Sequence, residues 1–159
     1  MPGESFNLKG RTAIITGSGK GIGQAIGLTF AEAGADVVFS ARTESDVQAN
    51  AERARALGAR ALAVPCDVRD DAQLQALVSR TMEAFGRIDI VVNNAGGTLP
   101  NPIARTNRRR CNEAFDFNVT SPLMLVRYSL PHLKESRGCV INICSAVGRV
   151  VQPNFAVYG

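Results

Sequence analysis

Short runs of consecutive apolar, often β-branched residues alternate along the chain with longer stretches in which apolar side chains return every three or four positions. Residues 12–16 (TAIIT), 36–40 (DVVFS), 60–64 (RALAV), 88–93 (IDIVVN) and 139–144 (CVINIC) predict strands. Their apolar residues are contiguous rather than alternate, the pattern of strands covered by helices on both faces. Ile22, Ala25, Ile26, Phe30 and Ala33 fall on one face of a first helix that Gly34 ends. Thr43 followed by Asp46 predicts a capping-box start to a second helix, which runs to about Leu57 with Gly58 after it. Leu74, Leu77, Val78, Met82 and Phe85 make the stripe of a third, stopped at Gly86, and a fourth is predicted over roughly 110–133. Strand and helix alternate throughout, without an internal repeat or a linker. The expectation is one doubly wound α/β domain over 1–159, with a parallel sheet and right-handed crossovers.

Composition narrows the function classes. Hydrophobic residues make up 45% and charged residues 20% of the 159, which excludes a disordered or low-complexity chain. No stretch approaches the ~20 apolar residues of a spanning helix, and MPGESFNLKGR at the start has no apolar signal segment. The cytoplasm is the expected compartment, with no membrane partner. Cys66, Cys111, Cys139 and Cys144 have no CxxC spacing, and His132 is the sole histidine, so reduced, mostly buried thiols are expected and a metal site is not. The net charge of +4 gathers at Arg105, Arg108, Arg109 and Arg110. That cluster reads as a solvated helix entrance rather than a nucleic-acid surface.

The first strand runs into Thr16-Gly17-Ser18-Gly19-Lys20-Gly21-Ile22-Gly23, and a helix follows at once. Glycines admit positive φ and close backbone approach, while a helix start offers free N–H groups to a pyrophosphate. The spacing is TGxxxGxG, and here the chain resembles the short-chain dehydrogenase/reductase family, from about residue 8 to Gly159. The resemblance implies a Rossmann-like sheet in the order 3-2-1-4-5 and a nicotinamide dinucleotide. An NAD site usually carries Asp or Glu at the end of the second strand. This chain has Ser40-Ala41-Arg42, where Arg42 would fork onto a 2′-phosphate with Lys20 as a second charge, so NADP(H) is expected over NAD(H). The alternative for Arg42 is a solvated helix start.

By the same resemblance Asp67, in Asp67-Val68, would bond the adenine amino group; otherwise it is a turn residue opening the next helix. Asn93-Asn94-Ala95-Gly96 matches the family's NNAG segment, with Asn94, Ala95 and Gly96 along the adenine ribose. Asn118 occupies the family's proton-relay position. Pro122, four residues later, has no N–H for the Asn118 carbonyl, which predicts a kink able to hold water. Ser145 would hold the substrate oxygen, and Tyr158, 13 residues further on, would exchange its proton.

The family motif is Tyr-x-x-x-Lys, and the sequence ends at Gly159, before that lysine. Without it a phenol of pKa near ~10 would cost about 4 kcal/mol to ionise at pH 7. The sequence therefore predicts a sheet truncated after about five strands, with residues 140–144 as an exposed apolar edge. Three readings stay open. The chain is part of an NADP(H)-dependent alcohol/ketone oxidoreductase, inactive alone and oligomeric at full length; a non-catalytic NADP(H)-binding module; or a basic interaction domain. RTNRRRC at 105–111 departs from the family's acidic-polar helix start, which a frame disturbance there would explain. Gly96-Gly97 and Pro100-Asn101-Pro102 resemble loops of hydroxysteroid and polyol dehydrogenases, a weak guide to substrate.

Overall fold

The computed structural model describes residues 6–158. Five parallel strands form one sheet in the order β3-β2-β1-β4-β5: β1 (Thr12–Thr16), β2 (Asp36–Ala41), β3 (Ala61–Pro65), β4 (Ile90–Asn93) and β5 (Cys139–Asn142). The helices are α1 (Gly21–Glu32), α2 (Glu44–Ala56), α3 (Asp71–Phe85), α4 (Arg108–Phe115) and α5 (Ser121–Ser136). Strand order and parallel pairing are as the family resemblance implies.

The contiguous apolar runs fill both faces of the sheet. Ala13, Ile15, Val37, Phe39 and Val92 pack with Val47, Ala51 and Ala54 of α2 on one side. Ile14, Val38, Val64 and Val91 pack with Leu74, Leu77 and Val78 of α3 and Leu125 and Leu133 of α5 on the other. Successive side chains of a strand point to opposite faces, so each strand feeds both layers.

Several local expectations are corrected. The buried line of α1 is Gly23, Gly27 and Ala31; Ile22 and Ala25 are exposed. Gly27 lies against the Phe39 ring, so the smallest residues let the helix approach the sheet. Thr43 is the N-cap of α2 by position, but its side chain accepts no capping bond, and Asp46 turns to Lys20 instead. Asp70, unread in the sequence, caps α3 by accepting from the N–H groups of Ala72 (2.9 Å) and Gln73 (3.1 Å). The third helix stops as expected, with Gly86 in the left-handed region at φ 72°.

The expected fourth helix is two helices joined by a π-helical turn at Asp116–Thr120. Pro122 cannot donate, and the backbone takes up one extra residue ahead of it, with the Ser121 N–H reaching back to the Asp116 carbonyl. β4 starts at Ile90, since Asp89 turns its carboxylate onto Arg11 (2.8 Å) and Arg87 (2.7 Å). β5 is the sheet edge among the described residues, and all four of its residues are exposed. The thiols are free, but only Cys66 is buried. Cys139 lies on that edge strand, Cys144 follows it, and Cys111 sits on the exposed side of α4. No described helix is long and apolar enough to cross a membrane, and no described group of His, Cys, Asp or Glu is arranged to hold a metal.

Candidate active site

The glycine-rich turn joins the carboxyl end of β1 to α1. Gly17 (φ 63°) and Gly21 (φ 57°) occupy the left-handed region, which no other residue adopts without strain. A Cβ on Gly23 would meet the Gly17 carbonyl oxygen at 2.6 Å, so the start of α1 passes hard against the turn. Ser18 is fully buried. Its hydroxyl donates to the Ile15 carbonyl at 2.8 Å and accepts from the Ser40 N–H at 2.7 Å, tying the turn to β1 and β2. Among the described residues the Gly19 and Lys20 N–H groups find no acceptor, and Lys20, the N-cap of α1, makes no side-chain cap. Open N–H groups at a helix start, beside glycines no side chain could replace, fit a pyrophosphate.

Arg42 is exposed just past β2 and forms no ion pair among the described residues. Lys20 lies 3.3 Å from Asp46. Asp67 is clasped by Arg69, Nε to Oδ1 at 3.0 Å and Nη2 to Oδ2 at 2.6 Å. That Arg69 bond, against some burial, holds the Asp67 carboxyl below the usual carboxylate range, with Arg42 adding a smaller attraction. The cap of α3 belongs to Asp70, so Asp67 is not its N-terminal residue; Val68 is buried in the core.

The Asn93–Gly96 segment leaves β4 next to the turn. Asn94 Nδ2 donates to the carbonyls of Thr16 (2.9 Å) and Gly17 (3.1 Å). The Thr16 hydroxyl accepts from the N–H groups of Asn94 and Ala95, each at 3.1 Å. Asn118 closes the segment from the other side: Oδ1 accepts from the Gly97 N–H at 2.7 Å, while Nδ2 donates to the carbonyls of Gly97 (3.1 Å) and Ala114 (2.8 Å). Both polar atoms of the Asn118 side chain are engaged, and Pro122, four residues later, has no N–H for its backbone carbonyl.

Ser145 follows β5, and its hydroxyl accepts from the Val147 N–H at 3.3 Å. Tyr158 is half-buried, its ring 6.2 Å from that of Phe155. Ile22, Asn94, Ala95, Gly96, Asn118, Ser145 and Tyr158 line one cleft of about 830 Å³ at the carboxyl ends of β4 and β5. A second, apolar hollow of about 500 Å³ shares Asn118 and Tyr158 with it and is walled by Ile103, Cys111, Ala114 and Phe115. Arg42 and Asp67 lie away from this cleft, among the residues after β2 and β3. Sequence reasoning missed Thr16, Asn142 and Asn50. Asn142 accepts from Asn93 Nδ2 at 2.9 Å on the cleft floor. Asn50, 1% exposed, donates to the turn from α2. Its one signal was a poor helix former inside the α2 stripe.

Residues 11–159 match the family model described as short chain dehydrogenase. An oxidoreductase of Mycobacterium tuberculosis (strain CDC 1551 / Oshkosh) is 43% identical over 158 residues, covering 98% of this chain and 60% of that protein. L-fucose dehydrogenase of Oryctolagus cuniculus is 36% identical over 144 residues, 90% of this chain and 49% of that protein. Among solved structures, 7α-hydroxysteroid dehydrogenase complexed with NADH and 7-oxo glycochenodeoxycholic acid superposes with a TM-score of 0.92 at 34% identity, covering 96% of this chain and 60% of that one. The chain thus spans about half to three-fifths of the length of these relatives.

Proposed function

The chain belongs to the short-chain dehydrogenase family, and we propose that it carries the cofactor cradle and three catalytic side chains of an NADP(H)-dependent alcohol/ketone oxidoreductase. The observation that supports this best is a single cleft lined by the start of α1, the Asn94–Gly96 segment, Asn118, Ser145 and Tyr158. A bound nicotinamide would supply or accept the hydride. The Ser145 hydroxyl would hold the substrate oxygen, and the Tyr158 phenol would give or take the proton at that oxygen. Asn118 keeps the loop at Gly97 in place, and Pro122, four residues later, offers its backbone carbonyl no N–H. The pyrophosphate would rest on the Gly17–Gly23 turn, through the open N–H groups of Gly19 and Lys20.

The preference for NADP(H) rests on Arg42, exposed past β2 without an ion pair among the described residues, and on Lys20 in the glycine-rich turn. Asp67 would meet the adenine with a carboxylate already shared with Arg69. The chain spans about half to three-fifths of its relatives' length, so cofactor binding is assigned to these residues and turnover to the whole protein. Fluorescence titration with NADPH and NADH side by side tests the reading. Tighter NADPH binding that Arg42→Asp abolishes selectively is the expected result; equal losses for both dinucleotides would overturn the 2′-phosphate assignment.

A further inference from the structure

The Asn50 side chain reaches from the buried face of α2 to the glycine-rich turn. Its Nδ2 donates to two consecutive carbonyls, those of Ser18 and Gly19, each at 2.9 Å. Its Oδ1 accepts from Gln24 Nε2 of α1 at 2.6 Å. Both acceptors on the Nδ2 side are carbonyl oxygens, so only one orientation of the amide satisfies the network. Val47, Asn50, Ala51 and Ala54 are the buried line of α2, and an amide in that apolar line is tolerated only when its hydrogen bonds are made.

A trans peptide is planar, with its C=O and N–H pointing to opposite sides. Anchoring the Ser18 carbonyl on Asn50 therefore turns the Gly19 N–H the other way, and anchoring the Gly19 carbonyl does the same for Lys20. These are the two N–H groups that find no acceptor among the described residues. Asn50 thus holds two neighbouring peptides with their donors facing outward, and Gln24 holds Asn50 in the orientation that does so. Ser18 fixes the turn from the β1 and β2 side, so Asn50 acts on what remains free, the rotation of the peptides themselves.

We propose that Asn50 is a positioning residue for the dinucleotide pyrophosphate, oriented by Gln24. The proposal rests on the cofactor reading above and assigns its affinity to a residue outside the glycine motif. The test compares NADPH with adenosine 2′-phosphate, which shares the adenine end but lacks the pyrophosphate, on the full chain and on Asn50→Ala and Gln24→Glu variants. Asn50→Ala leaves both carbonyls without their donor. Gln24→Glu keeps the Asn50 side chain but removes the shorter of the two donors to Oδ1, leaving only Arg53 Nη1 at 3.5 Å, and draws Nδ2 toward the new carboxylate and away from the turn. Gln24 is only half-buried, so this second variant keeps the fold if the first does not. Both variants are expected to bind NADPH roughly tenfold more weakly, with adenosine 2′-phosphate changed by less than about threefold. Unchanged NADPH affinity, or an equal loss for both ligands, overturns the positioning role. A parent chain that binds adenosine 2′-phosphate but not NADPH overturns it too, while one that binds neither overturns the cofactor reading beneath it.

Discussion

The two ends of the cleft are built differently. Toward the glycine-rich turn, the chain after β1 is stitched by buried side chains from three elements: Ser18 to β1 and β2, Asn50 from α2, and Asn94 and Thr16 across to the loop after β4. At the other end, Ser145 is exposed and makes one hydrogen bond of 3.3 Å, and β5 offers its outer edge to solvent. The first region is pre-organised by interactions that also stabilise the fold. The second presents its side chains on a sparse framework, so substitutions there should leave stability nearly unchanged. Affinity and folding should be coupled at one end of the cleft and separable at the other.

The largest effect expected concerns a third location that serves as the reference. Asp89 sits at the amino ends of the strands, 1% exposed, bonded to Arg11, Arg87 and the Thr12 N–H. Asp89→Ala should cost about 3 kcal/mol in urea unfolding, because it strands two cations and a buried donor. NADPH affinity of the folded fraction should not change, since the site is at the opposite sheet end; a parallel loss of affinity would break the separation.

The direct comparison is between two serines. Ser18→Ala should lose about 1–2 kcal/mol of stability, leaving the Ser40 N–H without its acceptor, and should weaken NADPH binding as well. Ser145→Ala should stay within about 0.5 kcal/mol of the parent by the same unfolding measurement. In the whole protein it should lower ketone reduction by roughly a hundredfold at unchanged NADPH affinity. Equal stability losses for the two would erase the contrast.

Acid titration probes the reference cluster. Burial raises the Asp89 carboxyl, but the Arg87, Arg11 and Thr12 bonds outweigh it and leave it below the ordinary range; Asp67 is lowered by Arg69. Carboxyls lowered in the fold contribute stability above their unfolded value, near ~3.9, and lose it as pH falls through the folded value. Unfolding free energy should therefore hold level from neutrality to about pH 5 and drop below pH 4, with a shallower drop in Asp89→Asn. The smallest effect is chemical. Cys111, Cys139 and Cys144 should react with a thiol reagent at neutral pH in the native state. Cys66, whose thiol burial pushes up to about 11, should react only on unfolding.

The strands were legible because burial on both faces writes itself as unbroken apolar runs, whereas the sheet order came only with the family resemblance. The glycine turn and the Asn93–Gly96 segment were legible because their residues fall between a strand and a helix, where backbone approach is needed. What stayed hidden has no hydropathic signature. Gly23 and Gly27 form the buried line of α1 by having no side chain, so of the expected apolar stripe Ile26 and Phe30 flank that line against the core while Ile22 and Ala25 are exposed. Asn50 acts across 31 residues on a peptide group, and a polar residue within a buried stripe reads as noise until its partners are seen. Cys139 and Cys144 were expected inside because cysteine is commonly buried, yet an edge strand leaves them in solvent, and Cys111 is exposed on α4.

The wide turn at Asp116–Thr120 is equivalent to one residue inserted into a regular helix. At 3.6 residues per turn, one residue rotates everything before it by about 100° relative to everything after. Without the insertion, α4 would present a different flank, and the Cys111, Ala114 and Phe115 wall of the hollow would swing away from Tyr158. The two ends of this long rod therefore answer to separate surfaces, the α5 portion to the sheet and the α4 portion to whatever enters the hollow. A lineage could drift at one end without disturbing the other, provided the supernumerary residue is kept.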